Sequence, residues 1–77
     1  MNTNATQVLD TRGMNCPLPI LKTKKALTAM GAGETLSVTS TDPGSIKDMQ
    51  AFCKQTGHEL LAANSDHGEF EFIIRKS

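Results

Sequence analysis

The sequence predicts a two-layer sandwich of mixed α/β (α+β) class, in which two helices cover one face of a four-stranded mixed sheet. Prolines mark two helix starts, Cys16-Pro17 and Asp42-Pro43, and each follows a short run typical of a strand. Residues 69–76 alternate apolar with polar side chains, which predicts a further strand. The predicted order is β-α-β-α-β-β. Right-handed crossovers that move the same way along the sheet place both helices on one face.

The first strand is predicted at residues 7–10, and residues 7–77 form one domain behind a flexible tail, residues 1–6. Residues 11–15 form a loop, in which Gly13 permits an unusual backbone turn. The first helix runs from about Pro17 to Met30, since prolines fit only its first turn and Gly31 provides a C-terminal cap. Cys16 then lies at or beside the N-cap.

The first helix is predicted to bury one face on the sheet and to expose the other. Lys22 and Lys25 lie opposite the buried face, while Leu18 and Leu21 fall between the two faces and are expected to be half exposed near Cys16. The buried face comprises Ile20, Thr23, Ala26, Leu27 and Met30.

The second half repeats this pattern and ends in a hairpin. A strand at residues 34–40 leads to Asp42, a predicted N-cap, and to a helix that ends near Thr56. That helix carries an apolar stripe, Ile46, Met49, Phe52 and Cys53. A strand at residues 58–64, a turn at residues 64–68 and the last strand follow. Ile73 interrupts the polar side of that last strand.

Composition excludes several classes of function. The 77 residues contain eight basic and eight acidic side chains and no tryptophan or tyrosine, which argues against bulk binding of nucleic acid or membrane surfaces. The polar N-terminus is unlike a signal peptide, so we predict a cytoplasmic protein with reduced cysteines. Cys16, Cys53, His58 and His67 lack the paired spacing of a zinc site, and neither a metal nor another cofactor is predicted.

Cys16 is the candidate reactive group. The positive end of a helix favours a thiolate, Arg12 could act in the same direction, and Asp10 would oppose it. Such a thiolate can be a nucleophile, a metal ligand or a carrier of sulfane sulfur. A general base with an orienting partner and a nearby second thiol are both missing from the sequence. We therefore expect a thiol that receives a group from one partner and hands it on to another, in a carrier that does not complete a catalytic cycle alone.

Two other classes of protein remain open. One is a thiol redox protein that pairs Cys16 with Cys53, although Cys53 lies in an apolar helical stripe typical of the core. The other is an RNA-binding or regulatory module that uses the uncovered sheet face, which is an analogy at the level of the fold.

The segment Leu9-Asp10-x-x-Gly13-x-x-Cys16-Pro17-x-Pro19 resembles the signature of the TusA/SirA-like family of small sulfur carriers. A second block, Thr41-Asp42-Pro43 with Asp48, Phe52-Cys53 and Gly57-His58-Glu59-Leu60, is also similar to that family. The resemblance runs from about Val8 to Arg75. It implies the two-layer fold already predicted from the pattern of the chain.

The resemblance implies a non-catalytic carrier or a sulfurtransferase component. In it, Cys16 accepts sulfur as a persulfide from a cysteine desulfurase or rhodanese-like donor and passes it to an acceptor protein. No direct contact with nucleic acid or membrane is expected. In one branch of the family the sulfur travels towards 2-thiouridine in tRNA, and members of that branch carry an acidic residue where this chain has Leu18. The residues predicted to support the site are Asp10, Arg12, Gly13, Pro17, Pro19 and Asp42, and those predicted to dock partners are Leu18, Leu21, Lys22 and Lys25.

Overall fold

Six elements follow one another in the order predicted. The computed structural model describes residues 6–15 and 17–77. The elements are β1 (Gln7–Thr11), α1 (Leu18–Thr28), β2 (Thr35–Ser40), α2 (Ser45–Thr56), β3 (Glu59–Asp66) and β4 (Glu69–Arg75). Thr6, the last residue of the predicted tail, donates its N–H to the Thr35 carbonyl at 2.9 Å, and the rest of that tail lies outside the described residues.

The sheet is mixed and has the strand order β1-β2-β4-β3. β1 pairs with β2 in parallel, and β4 pairs antiparallel with both of its neighbours. β3 therefore runs parallel to β2, and β4 lies between them, so that β2-α2-β3 is a split βαβ unit. Both crossovers move in the same direction along the sheet, which brings α1 and α2 to the same face.

One hydrophobic core lies between the helices and the sheet. It joins side chains from both helices with alternate side chains of β2 and β4, which confirms the predicted buried faces of both helices. The buried members are Leu27, Met30, Leu36, Val38, Met49, Phe52, Cys53, Phe72 and Ile74. The opposite face of the sheet is in contact with neither helix. We call it the open face.

The ends of α1 differ from the prediction. The helix begins at Leu18 with Pro17 as N-cap. Its C-cap is Ala29, one residue before the predicted helix end at Met30. The last turn tightens, since the Ala29 and Met30 N–H groups bond carbonyls three residues back. The Lys76 ammonium donates to the Met30 carbonyl at 2.7 Å. Lys76, which directly follows β4, thus binds the carbonyl just beyond the helix end, next to the glycine that the sequence predicted as the cap.

The start of α2 is also corrected. Asp42 is not the N-cap, because the helix begins at Ser45 with Gly44 as N-cap. The Asp42 carbonyl instead accepts the N–H of Ser45 at 2.9 Å, and its carboxylate accepts the N–H of Gly44 at 3.1 Å. These bonds close a tight turn directly before the helix. Asp42 therefore stabilises the turn that leads into α2 and does not cap the helix itself.

The β3–β4 hairpin has a shorter turn than predicted. β3 continues to Asp66, and only His67 and Gly68 connect the two strands. Their φ angles are +51° and +80°, which is the sign pattern of a type I′ turn. This turn follows the right-handed twist of the strands, so residues 64–66 pair in the sheet instead of belonging to the turn. The prediction that His67 is a turn residue is confirmed.

Candidate functional site

Cys16 lies outside the described residues, and the site is therefore defined by the residues on either side of it. The Asn15 carbonyl accepts the N–H of Leu18 at 2.8 Å, and the Pro17 carbonyl accepts the N–H of Leu21 at 3.0 Å. Since Pro17 is the N-cap of α1, Cys16 directly precedes the helix in the sequence. The dipole of a helix start favours an anion there.

The two prolines of the Cys-Pro-x-Pro segment differ in burial. Pro17 is exposed, whereas Pro19 is fully buried in the first turn of α1. The Pro19 carbonyl accepts the hydroxyl of Thr23 at 2.7 Å, and Thr23 is itself buried. Pro19 thus anchors the start of α1, and it also fixes φ in the first turn, where its missing N–H costs no helical bond.

The loop before Cys16 is held by a residue that the site prediction did not include. Gly13 has φ +80°, as its predicted role requires, and its N–H donates to the Thr41 hydroxyl at 2.9 Å. The Met14 N–H donates to the Thr11 carbonyl at 3.1 Å and closes the turn. Thr41 directly precedes Asp42. The contact therefore joins the loop before α1 to the turn before α2.

Arg12 forms ion pairs within the same loop. Its guanidinium donates to both carboxylate oxygens of Asp10, each at 3.0 Å, and lies 3.6 Å from a carboxylate oxygen of Glu69. Hydrogen bonds from Arg12 lower the pKa of Asp10, and the same contact raises the pKa of Arg12. The charge of Arg12 is thus compensated by carboxylates. Helix α1 remains as the source of positive potential next to Cys16.

The four residues predicted to dock partners share one exposed surface of α1. The side chains of Leu18 and Leu21 are 47% and 53% exposed, which agrees with their predicted position between the two helix faces. Lys22 and Lys25 are exposed and follow them at a spacing of four, which makes each lysine a surface neighbour of one leucine. We call these four residues the α1 patch.

A shallow groove separates the two helices beside the exposed Pro17. Its volume is about 260 Å³, and Asp48 is the charged residue in its lining. The lining consists of Pro17, Ile20, Asp48, Ala51, Phe52 and Gln55. The groove and the α1 patch together place apolar surface around the start of α1.

The remaining candidates for chemistry lie elsewhere. Cys53 is 4% exposed, which confirms its predicted place in the core, and burial raises the pKa of its thiol. His58 accepts the N–H of Ser77 on Nδ1 at 3.2 Å and packs its ring on Phe52. Within residues 6–15 and 17–77, no cluster of three or more histidine, cysteine or acidic side chains has the arrangement of a metal site. Neither described helix is long and apolar enough to cross a membrane.

These features define a class of protein: a small split-βαβ sandwich with a Cys-Pro-x-Pro segment where the first strand turns into the first helix. The chain belongs to the TusA family, because the family model described as sulfurtransferase TusA matches residues 7–76. It is 56% identical to the sulfur carrier protein TusA of Allochromatium vinosum over 92% of this chain and 93% of that protein. The crystal structure of a SirA-like protein from Desulfitobacterium hafniense has the same fold, with a TM-score of 0.81, 28% identity, and coverage of 91% of this chain and 96% of that one.

Proposed function

We propose that this chain is a sulfur carrier, which accepts sulfane sulfur as a persulfide on Cys16 and delivers it to an acceptor protein. The observation that carries the proposal is the position of Cys16 directly before the N-cap of α1. A helix start favours the thiolate over the thiol and also favours the persulfide anion. The Allochromatium vinosum relative is named as a sulfur carrier protein, which supports the same role.

The transfer step resembles thiol–disulfide exchange. The Cys16 thiolate attacks the terminal sulfur of a persulfide on the donor enzyme, a new S–S bond forms on Cys16, and the donor S–S bond breaks. The donor cysteine leaves as a thiolate, and no net oxidation occurs. Delivery reverses the roles: a thiolate of the acceptor attacks the terminal sulfur on Cys16, and Cys16 leaves as a thiolate.

Two classes of protein are the proposed partners. A cysteine desulfurase or a rhodanese-like enzyme supplies the sulfur, and a downstream protein with its own cysteine takes it, both in the cytoplasm. The α1 patch is the proposed contact for these partners, because Leu18 and Leu21 offer apolar area with Lys22 and Lys25 beside it. One proposed end product is 2-thiouridine in tRNA, which an acceptor beyond this chain would form.

Mass spectrometry tests the proposal. The protein is incubated with a cysteine desulfurase and L-cysteine, and the intact mass is recorded without reductant. We expect the wild type and the Cys53→Ser variant to gain the mass of one sulfur atom and the Cys16→Ser variant to gain none. An unmodified wild type would refute the carrier function. Sulfur on Cys16→Ser would refute the assignment of the residue.

The redox alternative makes a different prediction in the same samples. A Cys16–Cys53 disulfide would require a thiol that is 4% exposed, held in the core by α2, to leave its packing. After mild oxidation we expect a thiol count that shows Cys53 still free. The burial of Cys53 therefore favours the carrier over a dithiol enzyme.

A further inference from the structure

Charge is segregated between the two layers of this neutral chain. The helices α1 and α2 carry five lysines and one aspartate, whereas the four strands carry five carboxylates and one arginine. The lysines are Lys22, Lys24, Lys25, Lys47 and Lys54, and the strand carboxylates are Asp10, Glu59, Asp66, Glu69 and Glu71. A net charge of zero thus conceals a basic helix layer and an acidic sheet layer.

The strand register sorts the open face into rows across the sheet. One row crosses all four strands, from β1 to β3, and consists of Val8, Ser37, Ile73 and Ala62. Val8 is 74% exposed. Apart from Ser37 this row is apolar, which accounts for Ile73, the residue that interrupts the polar pattern of β4. The next row is polar and consists of Asp10, Thr39, Glu71 and Asn64. Asp66 and Glu69 form the pair beyond it.

The polar rows surround a concavity of about 250 Å³ at the hairpin end of the sheet. It is lined by Thr39, Asn64, Asp66, Glu69, Phe70 and Glu71. Phe70 packs against the core, and the other five lining residues lie on the open face. We call these five residues the acidic end of the open face. Asp66 and Glu69 are directly opposite each other, and like charges in that arrangement destabilise a hairpin.

A guanidinium of the chain itself already binds at this end. At the rim of the concavity, Arg12 donates to Asp10 and lies 3.6 Å from a carboxylate oxygen of Glu69. Asp66 pairs with His67, and Glu71 accepts the hydroxyl of Ser37 at 3.2 Å. In the part of the chain that the structure describes, no lysine or arginine pairs with Asp66 or Glu71. Two carboxylates beside the concavity thus lack a cationic partner from α1, α2 or the sheet.

We propose that the acidic end is a docking surface for a protein partner that presents lysine or arginine next to an apolar side chain. The cation would enter the concavity beside Asp66 and Glu71, and the apolar side chain would cover Val8 and Ile73. Charge complementarity selects this occupant, since carboxylates attract a basic protein surface and repel the phosphates of RNA. The surface lies on the sheet layer and is distinct from the α1 patch, and it does not depend on sulfur transfer by Cys16.

An NMR titration tests the surface with a defined probe, the peptide acetyl-Lys-Val-Arg-Val-Lys-amide. We expect the amide shifts of Thr39, Asn64 and Glu71 to move with peptide concentration and to return towards their free values in high salt. The double variant Asp66→Asn, Glu71→Gln should weaken binding by about two- to fivefold for each carboxylate removed. Both substitutions keep the size of the side chain and one acceptor oxygen, while the other oxygen becomes an NH2 donor and the charge is removed.

Glu59→Gln is the matched control, because Glu59 lies at the far end of the sheet, where it pairs with Arg75. This variant should bind the peptide like the wild type. A second control replaces every basic residue of the peptide with glutamate, and it should cause no shifts. Equal affinity of the double variant and the wild type would overturn the proposal. Shifts confined to α1 and α2, or equal shifts with a single-stranded RNA oligonucleotide, would also overturn it.

Discussion

At the scale of single residues, the loop before Cys16 owes its shape to a contact between Gly13 and Thr41. The two residues are 28 positions apart, and the Thr41 hydroxyl accepts a backbone N–H from a glycine at positive φ. Helical and strand periodicity predict which side chains face the core, but they carry no information about such a pair. The contact exists because parallel pairing of β1 and β2 brings the ends of both strands together.

Thr41→Val is the substitution that tests this contact. Valine keeps the shape of threonine but removes the acceptor, so the Gly13 N–H is left to water. We expect a loss of about 0.5–1.5 kcal/mol in the free energy of unfolding by urea. We also expect faster hydrogen exchange at the Gly13 amide.

Thr28→Val is the control for that measurement, since Thr28 is exposed at the end of α1 and its hydroxyl donates to the Lys24 carbonyl within the same helix. It should leave the exchange rate of the Gly13 amide unchanged. An unchanged Gly13 rate in Thr41→Val would show that the hydroxyl does not hold the loop.

Cys53 provides a second prediction at this scale. Because its thiol is buried and its pKa is raised, the folded Cys16→Ser variant should resist iodoacetamide at pH values near 8 and react fully in urea. Rapid alkylation of the folded variant would contradict the burial of Cys53.

The pKa of Cys53 also predicts how stability depends on pH. A raised pKa means that the unfolded thiol loses its proton first, so the stabilising effect is complete below an unfolded pKa of about 8.5. It is lost as pH rises towards the higher folded pKa. Urea denaturation of wild type and Cys53→Val at several alkaline pH values should show a steeper loss of stability in the wild type.

At the scale of the elements, the sequence predicted the type and order of every helix and strand but misplaced several ends. The ends depend on partners that are distant in the sequence. The ammonium of Lys76, which directly follows β4, donates to the Met30 carbonyl, and the Gly33 N–H donates to the Lys76 carbonyl at 2.8 Å. A prediction from local signals chose Gly31 for this cap, because glycine is the usual residue there.

The two-residue turn of the β3–β4 hairpin is open to a direct test. Gly68 has φ +80°, a conformation that costs an L-residue about 1–2 kcal/mol, so Gly68→Ala should destabilise the protein by about that amount. His67→Asn should be neutral or stabilising, since asparagine with glycine is the preferred pair in this turn type. Thermal unfolding followed by circular dichroism measures the change in stability of both variants.

Gly31→Ala is the matched control for the turn. The φ of Gly31 is not in the positive region, and an added Cβ would meet the Glu34 carboxyl carbon at 3.7 Å, an ordinary contact. Gly31→Ala should therefore change the free energy of unfolding little or not at all. If alanine at positions 31 and 68 had the same effect, the turn assignment would be wrong.

At the scale of the whole molecule, a chain of 77 residues keeps one face of its sheet free of helices. The sequence predicted this architecture, since two crossovers that move in one direction can cover only one face. It did not predict the separation of charge between the layers, because the carboxylates of the strands are spread over β1, β3 and β4 and meet only through the register. Total charge and composition give no information about which layer carries which charges.

The basic helix layer makes a prediction for partner association. Reversing the charge of the α1 patch, with Lys22→Glu and Lys25→Glu together, should slow association with an acidic donor surface by about tenfold at low salt. Sulfur transfer from a cysteine desulfurase, followed by rapid-quench mass spectrometry, measures this effect as a higher KM with little change in kcat.

Lys54→Glu, in the last turn of α2, changes charge on the same layer but away from the α1 patch. It should have a much smaller effect on KM. The difference between the variants should shrink in high salt, as screening requires. A loss in kcat alone would indicate that the lysines act on the chemical step and not on docking.

The buried Pro19 has a consequence for how proteins of this shape could diversify. With Pro19 fixed in the core and Pro17 as N-cap, the backbone of Leu18 is set from both sides while its side chain is 47% exposed. Position 18 can thus accept almost any side chain at little expense to the scaffold. If the α1 patch docks partners as proposed, exchange of this one residue would alter the contact surface while the backbone at the start of α1 stays as it is.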